Sequence, residues 1–314
     1  MGHHRERTLA DPERINTVKE KIIGTGLSGL VGSRIRELLK DTYDFVDFSL
    51  DSGVNILEKD NLVRRVEKEK ATHLLHLAAF TDVKGAQEQK GDKEGSCYKV
   101  NVLGTRNVVT AAQQCGLHLI SISTDYVFEG SDEKKIYSEE DKPNPKTWYG
   151  YTKYLAEEEV RSKLKDALIA RIAFPFRAKF DIKKDFIKVI LERFELDTMY
   201  PMFADQMITP TFIDDIAQAL KFLLSKRESG IYHVVGSSFV TPYDVAKVIA
   251  KVFGFQEEKV KKGSYKDYVQ KLGWAPWPQY LKVSNAKLQK DSNGCMHTLT
   301  EALTKMRKQR EELS

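Results

Sequence analysis

Residues 18–23 set a valine and two isoleucines among Lys19, Glu20 and Lys21. The chain then turns through glycines and continues over residues 30–40, where Val31, Ile35, Leu38 and Leu39 recur at helical spacing. That pattern predicts a strand, a tight turn and a helix. Short apolar runs at residues 45–50, 73–78, 117–123 and 167–173 predict further strands, separated by amphipathic stretches at 59–70, 102–115 and 149–163. Strands alternating with helices predict parallel pairing with right-handed crossovers. The expected fold class is therefore α/β, a Rossmann-type doubly wound parallel sheet.

Beyond residue 176 the pattern loosens, punctuated by Pro201, Pro210, Pro242, Pro276 and Pro278. Two helices are still well marked. Thr241 and Pro242 supply an N-cap and a first-turn proline, with Gly254 as the stop, and Thr298 with Glu301 makes a capping box ahead of Leu299, Leu303 and Met306. The expected organisation is an N-terminal extension or expression remnant at 1–17, a nucleotide-binding domain at 18–176, and a smaller, mainly substrate-binding part at 177–314, with room for a return to the first domain near 205–240.

Residues 24–32 read Gly-Thr-Gly-Leu-Ser-Gly-Leu-Val-Gly and can be parsed in two ways. One is G-x-G-x-x-G on Gly24, Gly26 and Gly29; the other is T-G-x-x-G-x-x-G on Thr25, Gly26, Gly29 and Gly32. With the strand starting near Val18, Gly24 falls at its end, which favours the second. Backbone N–H groups of Ser28, Gly29, Leu30 and Val31, at the positive end of the helix dipole, would then hold a pyrophosphate. At the end of the second strand Ser49 stands where a ribose selector is expected. A hydroxyl neither repels a 2′-phosphate nor binds it as arginine would, so NADP(H) and NAD(H) both stay open.

Tyr149 and Lys153 are four residues apart, which on a helix puts both side chains on one face. A phenol with a pKa of about 10 needs a neighbouring ammonium to exchange protons near neutrality. Tyr151 and Tyr154 have no lysine at that offset. Ser123 and Thr124 close a predicted strand, and sites in open parallel sheets form beyond the carboxyl ends of strands, where a hydroxyl can hold a carbonyl oxygen.

Taken together, the glycine turn, Leu77-Ala78-Ala79, Asn101-Val102-Leu103-Gly104-Thr105, Ser123-Thr124-Asp125-Tyr126-Val127-Phe128 and Tyr149-Gly150-x-x-Lys153 resemble the extended short-chain dehydrogenase/reductases. The Ser123–Phe128 segment and Phe80-Thr81-Asp82-Val83 resemble the dTDP-4-dehydrorhamnose reductase branch in particular. The likeness is firm over residues 18–176 and looser over 205–290. It implies hydride passed from a reduced nicotinamide to the C4 ketone of a 4-keto-6-deoxy nucleotide sugar. Tyr149 would be the general acid, Lys153 would lower its pKa and hold the nicotinamide ribose, and Thr124 would bind the ketone oxygen. Cofactor contacts are implied for Ala78, Ala79, Asn101, Ser123, Tyr149 and Lys153. Asn55 and Ile56 are implied near the adenine, and Ala173, Phe174 and Pro175 beside the carboxamide. Substrate contacts are implied for Thr81, Val83, Thr124, Asp125 and Tyr126, and for Asp205-Gln206 ahead of Thr209-Pro210-Thr211.

Two features depart from the family pattern. Asn55-Ile56 replaces the usual Asp-Ile, and Trp277 stands where the family commonly has an arginine suited to a diphosphate. An epimerase or dehydratase on the same scaffold is the first alternative, weakened because Thr124 is followed by Asp125 and then Tyr126, an incomplete acidic pair. A regulatory subunit that binds a dinucleotide without turnover is the second.

Composition adds bounds. The 314 residues are 41% hydrophobic and 30% charged, which excludes disorder and suits one large or two ordinary domains. A net charge of +5 from 50 basic and 45 acidic residues implies no nucleic-acid or membrane partner. Cys97, Cys115 and Cys295 are scattered, which opposes a zinc or disulfide framework and fits the cytoplasm. No metal is expected, since His73 and His76 fall on opposite faces of a strand. A homodimer stays open.

Overall fold

The computed structural model describes residues 19–312; Val18 and the expected extension at 1–17 lie outside them. In chain order the strands are β1 (Glu20–Thr25), β2 (Tyr43–Phe48), β3 (His73–His76), β4 (His118–Thr124), β5 (Leu168–Ile172), β6 (Pro175–Phe176), β7 (Met202–Phe203), β8 (Thr211–Phe212), β9 (Gly230–His233) and β10 (Lys262–Gly263). The first half carries helices α1 (Leu30–Leu39), α2 (Lys59–Glu69), α3 (Val83–Glu88), α4 (Ser96–Tyr98), α5 (Thr105–Gln114) and α6 (Trp148–Lys163). The second half carries α7 (Phe186–Glu195), α8 (Ile213–Lys226), α9 (Pro242–Phe253), α10 (Tyr265–Leu272), α11 (Ala286–Asp291) and α12 (Leu299–Glu312).

Six parallel strands form the main sheet in the order β2-β1-β3-β4-β5-β9. Strand order reverses between β1 and β3, and that reversal opens a crevice at the carboxyl ends of both. Period-two alternation sends successive residues to opposite faces. Ile22, Leu75 and Ile120 bury against α1 and α8, while Ile23, Leu74 and Leu119 bury against α2 and α5. Residues from 213 to 233 thus lie within the sheet and its covering layer. A second core, built on Ile187, Ile190, Leu191, Phe212, Ile249 and Leu303, joins α7, α9 and α12.

The predicted caps form. Thr241 and Asp244 exchange hydrogen bonds at the start of α9, Gly254 closes it at φ +80°, and the Thr298 hydroxyl accepts from Glu301 N–H. Two boundaries differ from expectation. β2 begins at Tyr43 and ends at Phe48, because Tyr43 is buried while Leu50 is 75% exposed in a turn that Ser49 and Ser52 close by mutual hydrogen bonds. The expected helix at 102–115 begins earlier, in a π-helical stretch at Lys99–Gly104 that runs into α5. No helix among the described residues is long and apolar enough to cross a membrane.

Candidate functional site

β1 runs through Gly24 to Thr25, and the turn follows. Gly26 has φ +73°, and a Cβ there would lie 2.7 Å from the Ala78 nitrogen. Only glycine suits that position, where the turn presses on the loop after β3. Gly29 is the N-cap of α1, and Gly32 packs so closely that a Cβ would sit 2.5 Å from the Gly26 carbonyl oxygen. Ser28 and Gly29 are exposed, Leu30 and Val31 half-buried, and the first turn of α1 has no acidic side chain. This is a cradle open to an anion at a helix N-terminus, and a dinucleotide's pyrophosphate fits it.

A buried chain of hydrogen bonds fixes the loop facing that turn. Thr105 Oγ1 donates to the Asn101 carbonyl at 2.6 Å, so it accepts from His76 Nε2 at 3.0 Å. His76 Nδ1 then accepts from Thr25 Oγ1 at 2.7 Å, and Thr25 Oγ1 accepts the Ala78 N–H at 3.3 Å. Burial pulls the His76 imidazole down to about 3, which keeps it neutral and the chain intact. His73 is also buried, edge-on to His118.

On the other side of the crevice, β4 delivers Thr124 and α6 delivers Tyr149 and Lys153. The Thr147 hydroxyl caps α6 by accepting from Gly150 N at 3.1 Å. Tyr149 meets Tyr126 edge-to-face at 5.8 Å, in a cluster with Val83, Phe174 and Trp277. Thr124 Oγ1 donates to Asp125 Oδ1 at 3.1 Å and accepts Tyr126 N–H at 3.2 Å. Asp125 Oδ2 is buried and unpartnered among the described residues, and burial pushes this carboxyl up to about 7. The expected lowering of the Tyr149 phenol by Lys153 is absent from this arrangement. Burial raises the phenol, opposed by the Thr124 hydroxyl, while Lys153 Nζ donates to the Ile122 carbonyl at 2.8 Å. Burial also draws Lys153 down to about 8, against the pull of Glu157 one turn along α6.

Several residues expected at the ligands have their side chains occupied elsewhere. The Asn101 amide accepts from Phe80 N at 2.8 Å and donates to Phe80 O and Thr152 Oγ1, so it holds the loop after β3 in place. Ser123 Oγ donates to Glu157 Oε1 at 2.6 Å, because alternation along β4 turns it away from Thr124. Asp205 caps α10 by accepting from Ser264 Oγ and the Tyr265 and Lys266 N–H groups, and Gln206 donates to the Pro278 carbonyl. These two brace the 264–280 segment from within. Ser49 lies one residue past β2, its hydroxyl 3.3 Å from Asp47 Oδ2. Asn55 Oδ1 accepts from Leu57 N, and Ile56 packs on Gly104. Ala173 is buried after β5, and Pro175 begins β6. Phe174 between them holds φ +39°, a conformation costly for a bulky side chain and one that clusters at functional sites.

The sequence reading missed the pair beneath the site. Glu157 and Arg171 form a bidentate ion pair at 2.9 and 2.7 Å with side chains 2% and 1% exposed. Glu157 continues the Tyr149–Lys153 face by one more helical step of four, and that spacing was the available signal. Trp277 stacks on Tyr268 with 9° between the rings, and the Lys84 ammonium stands 5.6 Å over its ring. Among the described residues no group of three or more His, Cys, Asp or Glu is placed to hold a metal ion.

The RmlD substrate binding domain family model matches residues 20–311. A probable low-salt glycan biosynthesis reductase, Agl14, of Haloferax volcanii is 28% identical over 275 residues, 84% of this chain and 90% of that protein. Methionine adenosyltransferase 2 subunit beta of Rattus norvegicus is 26% identical over 261 residues, 79% of this chain and 77% of that protein. The crystal structure of dTDP-4-dehydrorhamnose reductase from Bacillus anthracis in complex with NADP shares a TM-score of 0.83 at 26% identity, covering 94% of this chain and 99% of that one. With the family model matched from β1 into α12, this chain belongs to the RmlD substrate binding domain family, within the extended short-chain dehydrogenase/reductases.

Proposed function

We propose that this nucleotide-sugar reductase acts on the C4 ketone of a 4-keto-6-deoxy nucleotide sugar, with Tyr149 as general acid and Thr124 and Lys153 as its partners. When bound, the reduced nicotinamide supplies the hydride. The chain's own residues do the rest. The glycine turn at 26–32 with the α1 N-terminus holds the pyrophosphate, aided by backbone at Ala78 and Ala79. Thr124 Oγ1 turns its one proton from Asp125 Oδ1 to the ketone oxygen, and Tyr149 protonates the alkoxide as it develops. Lys153, charged below a pH of about 8, holds the nicotinamide ribose and stabilises the phenolate left behind. Thr81, Val83, Asp125 and Tyr126 line the substrate's path. Ser49 stands at the adenosine ribose, and Asn55 and Ile56 near the adenine. The three free thiols suit a reducing cytoplasm.

The observation that supports this reading most is the Thr124 hydroxyl beside the Tyr149 phenol, with Lys153 on the next helical turn, opposite the anion cradle. The test mixes the protein with NADPH or NADH and a dTDP-4-keto-6-deoxy sugar and follows loss of the reduced nicotinamide. Oxidation is expected, and Tyr149→Phe should lower turnover by about 10²–10⁴-fold while cofactor affinity stays nearly constant. An active Tyr149→Phe would remove Tyr149 from the acid's role. A second reading, a dinucleotide-binding subunit without turnover, draws on the likeness to methionine adenosyltransferase 2 subunit beta. It expects cofactor binding with no oxidation by any keto-sugar.

A further inference from the structure

Three segments far apart in the chain meet at the rim beside Tyr149. The loop after β3 brings Thr81 and the first turn of α3 brings Lys84, the stretch between β6 and α7 brings Lys183, and the stretch after α10 brings Trp277. Lys183 Nζ donates to Thr81 Oγ1 at 3.3 Å, and Lys84 Nζ stands over the Trp277 indole. Trp277 itself belongs to the cluster that holds Val83, Tyr126 and Tyr149, so Lys84 borders the reacting end of the crevice, and Lys183 is tied to the same segment through Thr81, three residues before Lys84.

Neither ammonium has a carboxylate oxygen within 4.0 Å among the described residues. The contrast with neighbours is direct, since Lys184 pairs with Glu192 at 2.5 Å. The acid nearest in sequence, Asp82, is turned back to accept the N–H groups of Lys84 and Gly85 as the cap of α3. The indole carries no charge, yet its ring face attracts a cation and narrows where Lys84 can point. Two uncompensated ammonium groups with a hydroxyl between the segments that carry them suit an anion with several oxygens. The glycine turn that suits the cofactor's pyrophosphate lies apart from them, at the end of β1.

We infer that Lys84, Lys183 and Thr81 seat the diphosphate of the substrate nucleotide, with Trp277 as the platform that positions Lys84. The inference rests on the nucleotide-sugar reading above. It makes Lys84 and Lys183 determinants of substrate affinity while the reacting groups lie elsewhere.

Calorimetry with dTDP as the probe tests it on the full chain. Lys84→Gln and Lys183→Gln, both at exposed positions, should each weaken dTDP binding about tenfold and together about a hundredfold, as loss of charge-assisted contacts predicts. Lys84→Arg should restore binding to within about threefold. Trp277→Ala should weaken dTDP as Lys84→Gln does, and Trp277→Phe should retain most of the affinity. With a keto-sugar that is turned over, KM should rise by the same factors while kcat and NADPH affinity hold. Wild-type affinity for dTDP in the double variant, or no dTDP binding by the wild type, overturns the seat. If no keto-sugar is reduced yet the lysine variants lose dTDP, the reductase reading fails and the seat stands. If turnover is normal with unchanged KM in the double variant, the seat fails and the reading stands.

Discussion

A Cβ on residue 150 would lie 2.1 Å from the Tyr126 carbonyl oxygen, so the Gly150 backbone rests directly against the Tyr126 peptide where α6 passes the end of β4. That contact sets how deeply Tyr149 and Lys153 enter the site. Gly150→Ala forces helix and strand-end loop apart, and overpacking of this kind costs about 1–3 kcal/mol. The melting temperature should fall, and kcat should drop more than tenfold while NADPH affinity, carried mainly by the distant glycine turn, changes less. A fully active Gly150→Ala would show that the approach of α6 to Tyr126 does not set the geometry of the phenol.

Asp125 couples the site to pH through stability. Its Oδ1 accepts from Thr124, its Oδ2 has no partner among the described residues, and its charge is felt by the Tyr126 and Tyr149 phenols, the titratable groups beside it. The folded carboxyl titrates near 7 against an ordinary 3.8, so between those values the native state binds more protons than the unfolded chain. Stability therefore falls as pH rises through that window, and the loss is complete above about 7. Asp125→Asn removes the charge. Its melting temperature relative to wild type should climb from pH 4 to about pH 7 and level off above it, by an amount on the order of a few kcal/mol in stability. A difference that stays flat with pH would mean that the wild-type carboxyl is already ionised in the fold at low pH.

Ser49 tests cofactor choice. Its hydroxyl lies past the end of β2, 3.3 Å from Asp47 Oδ2, with the Arg36 guanidinium 4.0 Å from the same oxygen. A carboxylate at 49 would accept from a ribose 2′-hydroxyl and repel a 2′-phosphate. Ser49→Asp should therefore shift the ratio of NADPH to NADH affinities at least tenfold towards NADH, measured by fluorescence titration of both. An unchanged ratio takes Ser49 out of the selecting position and leaves that role to another group around β2.

What could be read from the sequence follows a physical division. The glycine turn was legible because Gly26 and Gly32 each stand where no side chain fits, and such constraints act within a few residues. Tyr149 and Lys153 were legible because helical spacing alone puts them on one face. The start of β2 was not, since Tyr43 and Phe45 bracket an exposed Asp44 and the apolar count begins late. Side chains that bond across the fold were the hardest. Asn101 and Asp205 carry family-like positions but bond to Phe80 and to the start of α10, partners 21 and 60 residues away. Lys153 was expected to act on Tyr149, and only the packed structure shows that burial governs both groups, with the ammonium turned to the Ile122 carbonyl instead.

The Glu157–Arg171 pair carries the remaining prediction. Arg171 donates from Nε and Nη2 to both Glu157 oxygens, Ser123 adds a third hydrogen bond, and the guanidinium lies 5.0 Å over the Phe128 ring. His233, drawn down to about 3 by burial and by Arg171, stays neutral at 3.4 Å and offers the cation no compensating charge. Glu157→Gln would strand the guanidinium in a dry site, and breaking a buried pair from one side costs about 3–5 kcal/mol. Replacing both partners by leucine removes both charges, so the double variant should recover much of that loss in urea unfolding. Glu157 also helps keep Lys153 charged, so in Glu157→Gln the fall of kcat/KM at high pH should begin at a lower pH than in the wild type. A Glu157→Gln variant of wild-type stability would show that water or a local shift compensates Arg171, and the pair would then lose its place as the rigid floor under α6.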